Sequence, residues 1–334
     1  MQHADALRDA PDAPARLAAS AKIFTAVRDS LNAVIFGQEE VIEQTLVTLL
    51  AGGHGLLIGV PGLAKTKLVE TLGIVLGLDT SRIQFTPDLM PADITGSEVM
   101  EESQSGERAF RFIRGPVFTQ LLMADEINRA SPRTQSALLQ AMQEKHVTVA
   151  GARHDLPRLF HVLATQNPLE QEGTYPLPEA QLDRFLLQID VGYPDLAAER
   201  RMLLATTVGE EKIAARVCGP DELLEAQSLV RRVPVGEQVM EAILALVRAA
   251  RPGSEHDSGP NRLIAWGPGP RASQALMLAV RARALLDGRL APSTDDVVAL
   301  AGPVLRHRMA LTFAARAEGE TTAGVIQRLC RDLL

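Results

Sequence analysis

The chain has 334 residues, enough for two domains and a sizeable core, and 46% hydrophobic with 22% charged residues is the balance of a soluble globular protein. A formal charge of −7 and a pI near 5.6 argue against a protein whose main task is coating nucleic acid. Cys218 and Cys330 stand far apart with no C-x-x-C pair, which suggests neither a disulfide framework nor a zinc site and fits a reducing cytoplasm, and no apolar run approaches the roughly 18 to 20 residues needed to span a bilayer.

Residues 1–19, with Asp5, Arg8, Asp9, Asp12 and two prolines among alanines, lack the apolar stretch of a signal peptide and read as a mobile tail. The first ordered helix is expected from about Ser20 to Ala33, where Ile23, Val27, Leu31 and Val34 fall near one face. Ile35-Phe36-Gly37-Gln38 interrupts the pattern before a second helix from Glu39 to about Leu50. That pair leads directly into the next motif, so Gln38 is a candidate for the adenine side of a nucleotide; simple scaffold helices are the competing reading.

Leu56 to Ile58 has the length of a buried strand. It breaks into the turn Gly59-Val60-Pro61-Gly62-Leu63-Ala64, and Lys65-Thr66-Lys67 opens a helical segment ending near Gly77. The backbone N–H groups of such a loop and the positive end of the helix dipole face one point, which suits a triphosphate. Lys65 would reach the β- and γ-phosphates and Thr66 would ligate Mg²⁺ through its hydroxyl. Ala64 stands where the G-x-x-x-x-G-K-[ST] pattern has its second Gly, a tolerable change if residue 64 keeps φ < 0.

Four further apolar segments, Arg82 to Phe85, Thr119 to Ala124, His161 to Thr165 and Phe185 to Ile189, read as buried strands and alternate with helical patterns, predicting an α/β fold with a five-stranded parallel sheet. Ligands of such sheets bind at the carboxyl ends of the strands. There Leu121-Leu122-Met123-Ala124 runs into Asp125-Glu126, with Asp125 placed to hold Mg²⁺ through its water shell and Glu126 to deprotonate an attacking water. His161 to Thr165 ends in Gln166-Asn167-Pro168, and Asn167 is a candidate to bind the same water; Asn before Pro is also an ordinary turn former. Hairpin patterns occupy residues 97–113, around a polar tip at Glu101 to Gly106, and residues 146–156, around Ala150-Gly151.

Past Tyr193-Pro194 the periodicity is helical only: Leu196 to Thr206, Asp221 to Val233, Gln238 to Ala250, Arg271 to Leu286 and Thr294 to Leu300. A Gly/Pro/Ser-rich loop between Arg251 and Pro270, around Trp266, is expected to be mobile. His307 reads as a structural residue rather than a ligand.

Taken together these segments resemble AAA+ ATPases, with Gly59 to Thr66 as Walker A, Leu121 to Glu126 as Walker B and Asn167 as sensor one. Phe85-Thr-Pro-Asp-Leu-Met-Pro-Ala-Asp-Ile-Thr-Gly96, Asp125-Glu-Ile-Asn-Arg-Ala130, Gln135 to Glu144, Ala164-Thr-Gln-Asn-Pro168 and Glu172 to Phe185 carry a closer resemblance to the MoxR group, over about residue 20 to the C-terminus. The resemblance implies an AAA+ P-loop αβα core over residues 20–194 and a smaller all-α lid over 195–334. It implies ATP and Mg²⁺ as ligands, Arg184 as an arginine finger presented to the next subunit's nucleotide, and Arg271 as sensor two, acting in cis or in trans. Without the motif, Arg184 would be read as a surface partner of Asp183 or Glu179. The two hairpins match elements that face pore or substrate in this clade. Also implied are a homo-oligomeric ring, most often a hexamer, a partner with a von Willebrand factor A domain, and a client protein that is remodelled or matured. A magnesium-chelatase ATPase subunit, a DNA-acting AAA+ protein and a nucleotide-gated scaffold stay open as alternatives; the acidic balance disfavours the second, and intact Glu126 and Arg184 the third.

Overall fold

The computed structural model describes residues 13–102, 108–170, 173–207, 214–253 and 259–333. The chain opens with α1 (Ala13–Asn32), α2 (Glu39–Leu50), β1 (Gly55–Ile58), α3 (Lys65–Leu76) and β2 (Thr80–Gln84). A short α4 (Pro91–Thr95) precedes the hairpin β3 (Gly96–Glu102) and β4 (Arg108–Arg114), and β5 (Leu121–Asp125) is followed by α5 (Pro132–Glu144). The second hairpin, β6 (His146–Val149) and β7 (Ala152–Asp155), leads to β8 (His161–Gln166), α6 (Glu179–Leu182) and β9 (Leu187–Asp190). The expected five-stranded parallel sheet forms in the order β2-β5-β8-β1-β9. β5 is buried at every residue, as a continuous apolar run in a doubly covered sheet should be.

The rest is α7 (Leu196–Thr207), α8 (Pro220–Val230), α9 (Glu237–Ala249), β10 (Ile264–Trp266), α10 (Pro270–Leu286), α11 (Thr294–Leu305), β11 (Ala310–Leu311), α12 (Phe313–Ala317) and α13 (Thr322–Leu333). One hydrophobic cluster on one face of the sheet joins Phe24, Leu46 and Leu72 of α1 to α3 to lid residues such as Leu223, Leu276 and Val304. A second cluster on the other face packs α5 beneath Phe85, Leu122 and Phe185. The lid is thus seated on the core through shared apolar surface, reinforced by Arg283 of α10, which donates to Glu43 of α2 at 2.8 Å and to the buried Asp296 of α11 at 3.1 Å.

Three sequence expectations are corrected. Residues 13–19 are helix rather than tail: Leu17, Ala21 and Phe24 continue the apolar stripe one turn upstream and are 3%, 6% and 1% exposed, and Arg16 reaches Glu225 at 2.7 Å. Residues 1–12 of that expected tail, and 103–107 of the first hairpin's tip, lie outside the described residues. β2 is an edge strand with only Ile83 buried, because β5 is its single neighbour, so Arg82 and Gln84 are left facing outward on one side. Part of the loop expected to be mobile is ordered, since Ile264 and Trp266 pair with Leu311 and Ala310 in a short antiparallel ladder that helical periodicity could not reveal. Residues 254–258 of that loop lie outside the described residues.

Where the sheet meets the lid, two histidines are buried. His161 donates Nδ1–H to the Gly53 carbonyl at 2.7 Å and receives the Gln227 side-chain amide of α8 on Nε2 at 2.9 Å, while His54 Nδ1 accepts from the Val162 N–H at 3.0 Å. Burial pushes His54 down to about 3, with His161 adding repulsion, and pushes His161 down to about 4. Both folded values lie below the unfolded value of about 6.5, so between these limits the unfolded chain binds more protons. Stability contributed by the neutral pair is therefore complete above about pH 6.5 and is lost as pH falls toward 4. From pH 7 to pH 5 the loss is about 2 kcal/mol per histidine, a large part of a typical total of about 5 to 15 kcal/mol. Thermal melts at pH 7, 6 and 5 should show the midpoint falling steadily; a midpoint that does not move would contradict the neutral, buried pair.

Candidate nucleotide site

β1 ends at Ile58 and the loop from Gly59 to Ala64 leads into α3, whose first-turn N–H groups have no partner within the helix. The loop lies so close to the end of β9 that a Cβ on Gly59 would sit 2.6 Å from the carbonyl of Val191, the residue after it, and Gly62 adopts φ +85°. Ala64 departs from the expectation of negative φ: it is left-handed at φ +57° and serves as the N-cap of α3. The turn into the helix demands that conformation whatever residue occupies it, and Ala meets the demand at a cost of roughly 1–2 kcal/mol.

Pro61, Gly62, Leu63, Lys65 and Thr66 line a cavity of about 150 Å³ together with Asp125, Glu126, Thr165 and Asn167. Lys65 folds back onto the loop, donating to the Gly59 carbonyl and, at 3.0 Å, to the Val60 carbonyl. Burial lowers its pKa, against the opposing pull of Asp125, Glu126 and Glu170. Asp125 accepts the Thr165 hydroxyl at 2.6 Å on one oxygen and Arg82 of β2 at 2.7 Å on the other. Thr165 in turn accepts the Glu126 N–H at 2.9 Å, so one hydroxyl ties the two acids together. Glu126 is left-handed at φ +54°, a strained conformation of the kind found at functional sites, and its carboxylate accepts Gln84 at 2.7 Å and Arg129 at 2.9 Å. Asn167 uses Oδ1 to cap the Leu169 N–H at 3.1 Å, the turn-forming role, and its side-chain NH₂ is its remaining hydrogen-bonding group.

Sequence reasoning did not single out Arg82, Gln84, Arg129 or Thr165. Strand alternation supplies a signal for the first two, because the register sets Gln84 beside Asp125 and Arg82 two residues earlier shares its face.

The other expected site residues lie elsewhere. Gln38 donates to the Gly192 carbonyl at 2.8 Å, tying the start of α2 to the segment after β9; neither it nor Lys67 lines the cavity. Arg184 and Arg271 share a separate cavity of about 200 Å³ with His54, Met142, Gln143 and Asp183. Leu187 pairs with Gly55 in parallel register, so Arg184, three residues upstream, sits at the amino end of the sheet. The loop from Gly59 to Ala64 is at the carboxyl end, beyond a four-residue strand of about 13 Å. The ion pairs of Arg184 with Asp183 or Glu179 that the surface reading required are replaced: Arg184 donates to the Leu139 carbonyl at 2.7 Å, while Asp183 pairs with Arg308 at 2.7 Å and Arg271 at 3.7 Å.

Residues 54–187 match the family described as ATPase family associated with various cellular activities (AAA), and residues 260–329 match the AAA lid domain. The chain is 42% identical over 299 residues to Chaperone MoxR1 of Mycobacterium tuberculosis, covering 89% of this chain and 78% of that one. It is 33% identical to Protein MoxR of Paracoccus denitrificans over 87% of this chain and 89% of that one. A crystal structure from Cytophaga hutchinsonii, of a protein classed provisionally as an ATPase, superposes with a TM-score of 0.87 at 36% identity and covers 99% of both chains.

Proposed function

Since this chain belongs to the MoxR family of AAA+ ATPases, we propose that it hydrolyses ATP in a closed ring of identical chains and uses the cycle to remodel or mature a client protein. The observation that carries this reading is the separation of two half-sites: Lys65, Thr66, Asp125, Glu126 and Asn167 converge on one cavity, while Arg184 and Arg271 line another at the opposite end of the sheet. One chain cannot bring both to one nucleotide, whereas a neighbour in a ring presents its Arg184 to the first chain's γ-phosphate. Glu126 and Asn167 orient the attacking water, Glu126 takes its proton, and Lys65 with the incoming Arg184 balances the charge developing on the phosphoryl group. The loop N–H groups from Gly59 to Thr66 complete the phosphate cradle, with Lys67 and Gln38 just outside it, and Arg271, which shares the cavity of Arg184, acts in trans on the neighbour's nucleotide.

The donor set fits Mg²⁺. Thr66 and Asp125 offer a hydroxyl and one carboxylate on a shared cavity, and the described residues hold no cluster of three or more His, Cys, Asp or Glu side chains that would make an all-protein metal cage. When bound, the ion would neutralise phosphate charge; Asp125, already engaged by Thr165 and Arg82, would hold it through water or exchange Arg82 for it. A hexamer, a partner with a von Willebrand factor A domain and metal or cofactor insertion into a client are proposed on family resemblance. No helix among the described residues is long and apolar enough to cross a membrane.

A site completed by a second chain makes activity depend on assembly. Turnover per chain should rise with protein concentration in step with the sedimenting ring and then level off. Constant turnover per chain across a range where the protein sediments as a monomer would refute the shared site.

A further inference from the structure

Arg308 lies in the 3₁₀ turn Arg306–Arg308 that follows α11 and is only 2% exposed. Burying a guanidinium is costly unless its donors are paired. Here all five N–H groups are used: Nε donates to Asp183 Oδ1 at 2.7 Å, Nη1 to the carbonyls of Leu186 at 3.1 Å and Val304 at 2.5 Å, and Nη2 to those of Phe185 at 2.6 Å and Asp183 at 3.4 Å. Four of these five bonds fall on residues 183–186. His307 adds a further bond from Nε2 to the Phe185 carbonyl at 3.0 Å. The lid therefore holds the main chain immediately before and after Arg184, while the Arg184 side chain bonds to Leu139 of α5 and leaves its buried Nε without a partner.

We infer that Arg308 is the positioning residue of the arginine finger: by clamping the carbonyls on both sides of Arg184, it sets the direction in which Arg184 meets the neighbouring chain's nucleotide. The lid and the finger of one chain then move as a unit. A lid displaced by events at its own nucleotide withdraws catalysis from the next site in the ring. This rests on the reading of Arg184 given above, and it assigns Arg308 no contact with any nucleotide.

The test uses assembled rings of the full chain. Arg308→Lys keeps the charge but replaces the planar five-donor fork by a point charge. ATP turnover should fall about 100-fold, the scale of a misplacement of about 1 Å at a reacting centre, while fluorescent-nucleotide affinity stays within about twofold. Because the defect lies in what the chain offers its neighbour, mixing Arg308→Lys with Glu126→Gln chains should restore turnover at least about tenfold over either alone: each Arg308→Lys site regains an intact finger from a Glu126→Gln neighbour. A merely structural role would weaken the chain's own site and would not be rescued by mixing. Unchanged turnover, or a loss that mixing does not restore, overturns the inference. Melting and sedimentation report whether Arg308→Lys folds and assembles; if it does not, Asp183→Asn, which weakens the same clamp, takes its place and the same outcomes decide. Arg184→Ala mixed with Glu126→Gln is the control. If that pair fails to complement, the shared-site reading falls and the inference with it; if it complements and the Arg308 pair does not, only the inference falls.

Discussion

Replacing Arg184 by alanine should lower ATP turnover by about 10³-fold or more, because a guanidinium brought to the developing phosphoryl charge contributes roughly 10³ to 10⁵ in rate. The same substitution should leave nucleotide affinity close to that of the parent chain, since Arg184 lies in a different cavity from Lys65 and Thr66 of its own chain. Its side chain is anchored by a bond to the Leu139 carbonyl, and Phe185 beside it remains buried in the second core cluster, so the fold should survive the truncation. Steady-state turnover, nucleotide titration and sedimentation on one preparation separate the possibilities. An assembled ring with turnover within about tenfold of the parent would remove Arg184 from the catalytic site.

The second large effect is expected at Glu126. Glu126→Gln keeps the shape of the side chain but cannot accept a proton, and loss of a general base costs roughly 10² to 10⁴ in rate. The carboxylate accepts Gln84 and Arg129 on the same oxygen, Oε2, which holds the group in place and leaves Oε1 as the oxygen that takes the proton from water. ATP should still bind, with one negative charge fewer beside its phosphates. The variant should therefore hold ATP without consuming it and retain whatever the ring grips in that state. Tagged Glu126→Gln, added to native extract with ATP and Mg²⁺, should retain a client, and recovery of a protein with a von Willebrand factor A domain would support the proposed partnership. Recovery of chelatase subunits or nucleic acid would favour a different branch of the clade. Turnover equal to the parent's would end the assignment of Glu126 as the base.

Much of this site is legible in the residues because its chemistry is local in sequence. A strand, a Gly-containing loop and Lys65-Thr66 at a helix start are contiguous, so the cradle follows from the order of residue types. Asp125, Glu126 and Asn167 are found by a general property of parallel sheets, that strand ends converge. Position 64 shows the limit of such local reasoning: the residue type suggests negative φ, whereas the turn into α3 sets a left-handed conformation there. The first helix shows another limit, since charged residues and prolines early in the chain mask a stripe whose first member, Leu17, is buried on a helix that packs on α8 and α10, far away in sequence.

Residue order alone is enough to find the parallel α/β core, the glycine-containing loop before Lys65, the two acids at a strand end and the helical lid, because each is a periodicity or a contiguous pattern whose physics acts within one or two elements. It takes the folded chain to show that Arg82, Gln84 and Thr165 hold those acids, that Arg184 and Arg271 lie at the far end of the sheet, and that Arg308 grips the segment carrying Arg184. These are pairings across 39 to 125 positions of the chain. Hydrogen bonds of a few ångströms between such distant residues depend on sheet register and on how the lid seats against the core, and neither is written in the composition or spacing of any single segment.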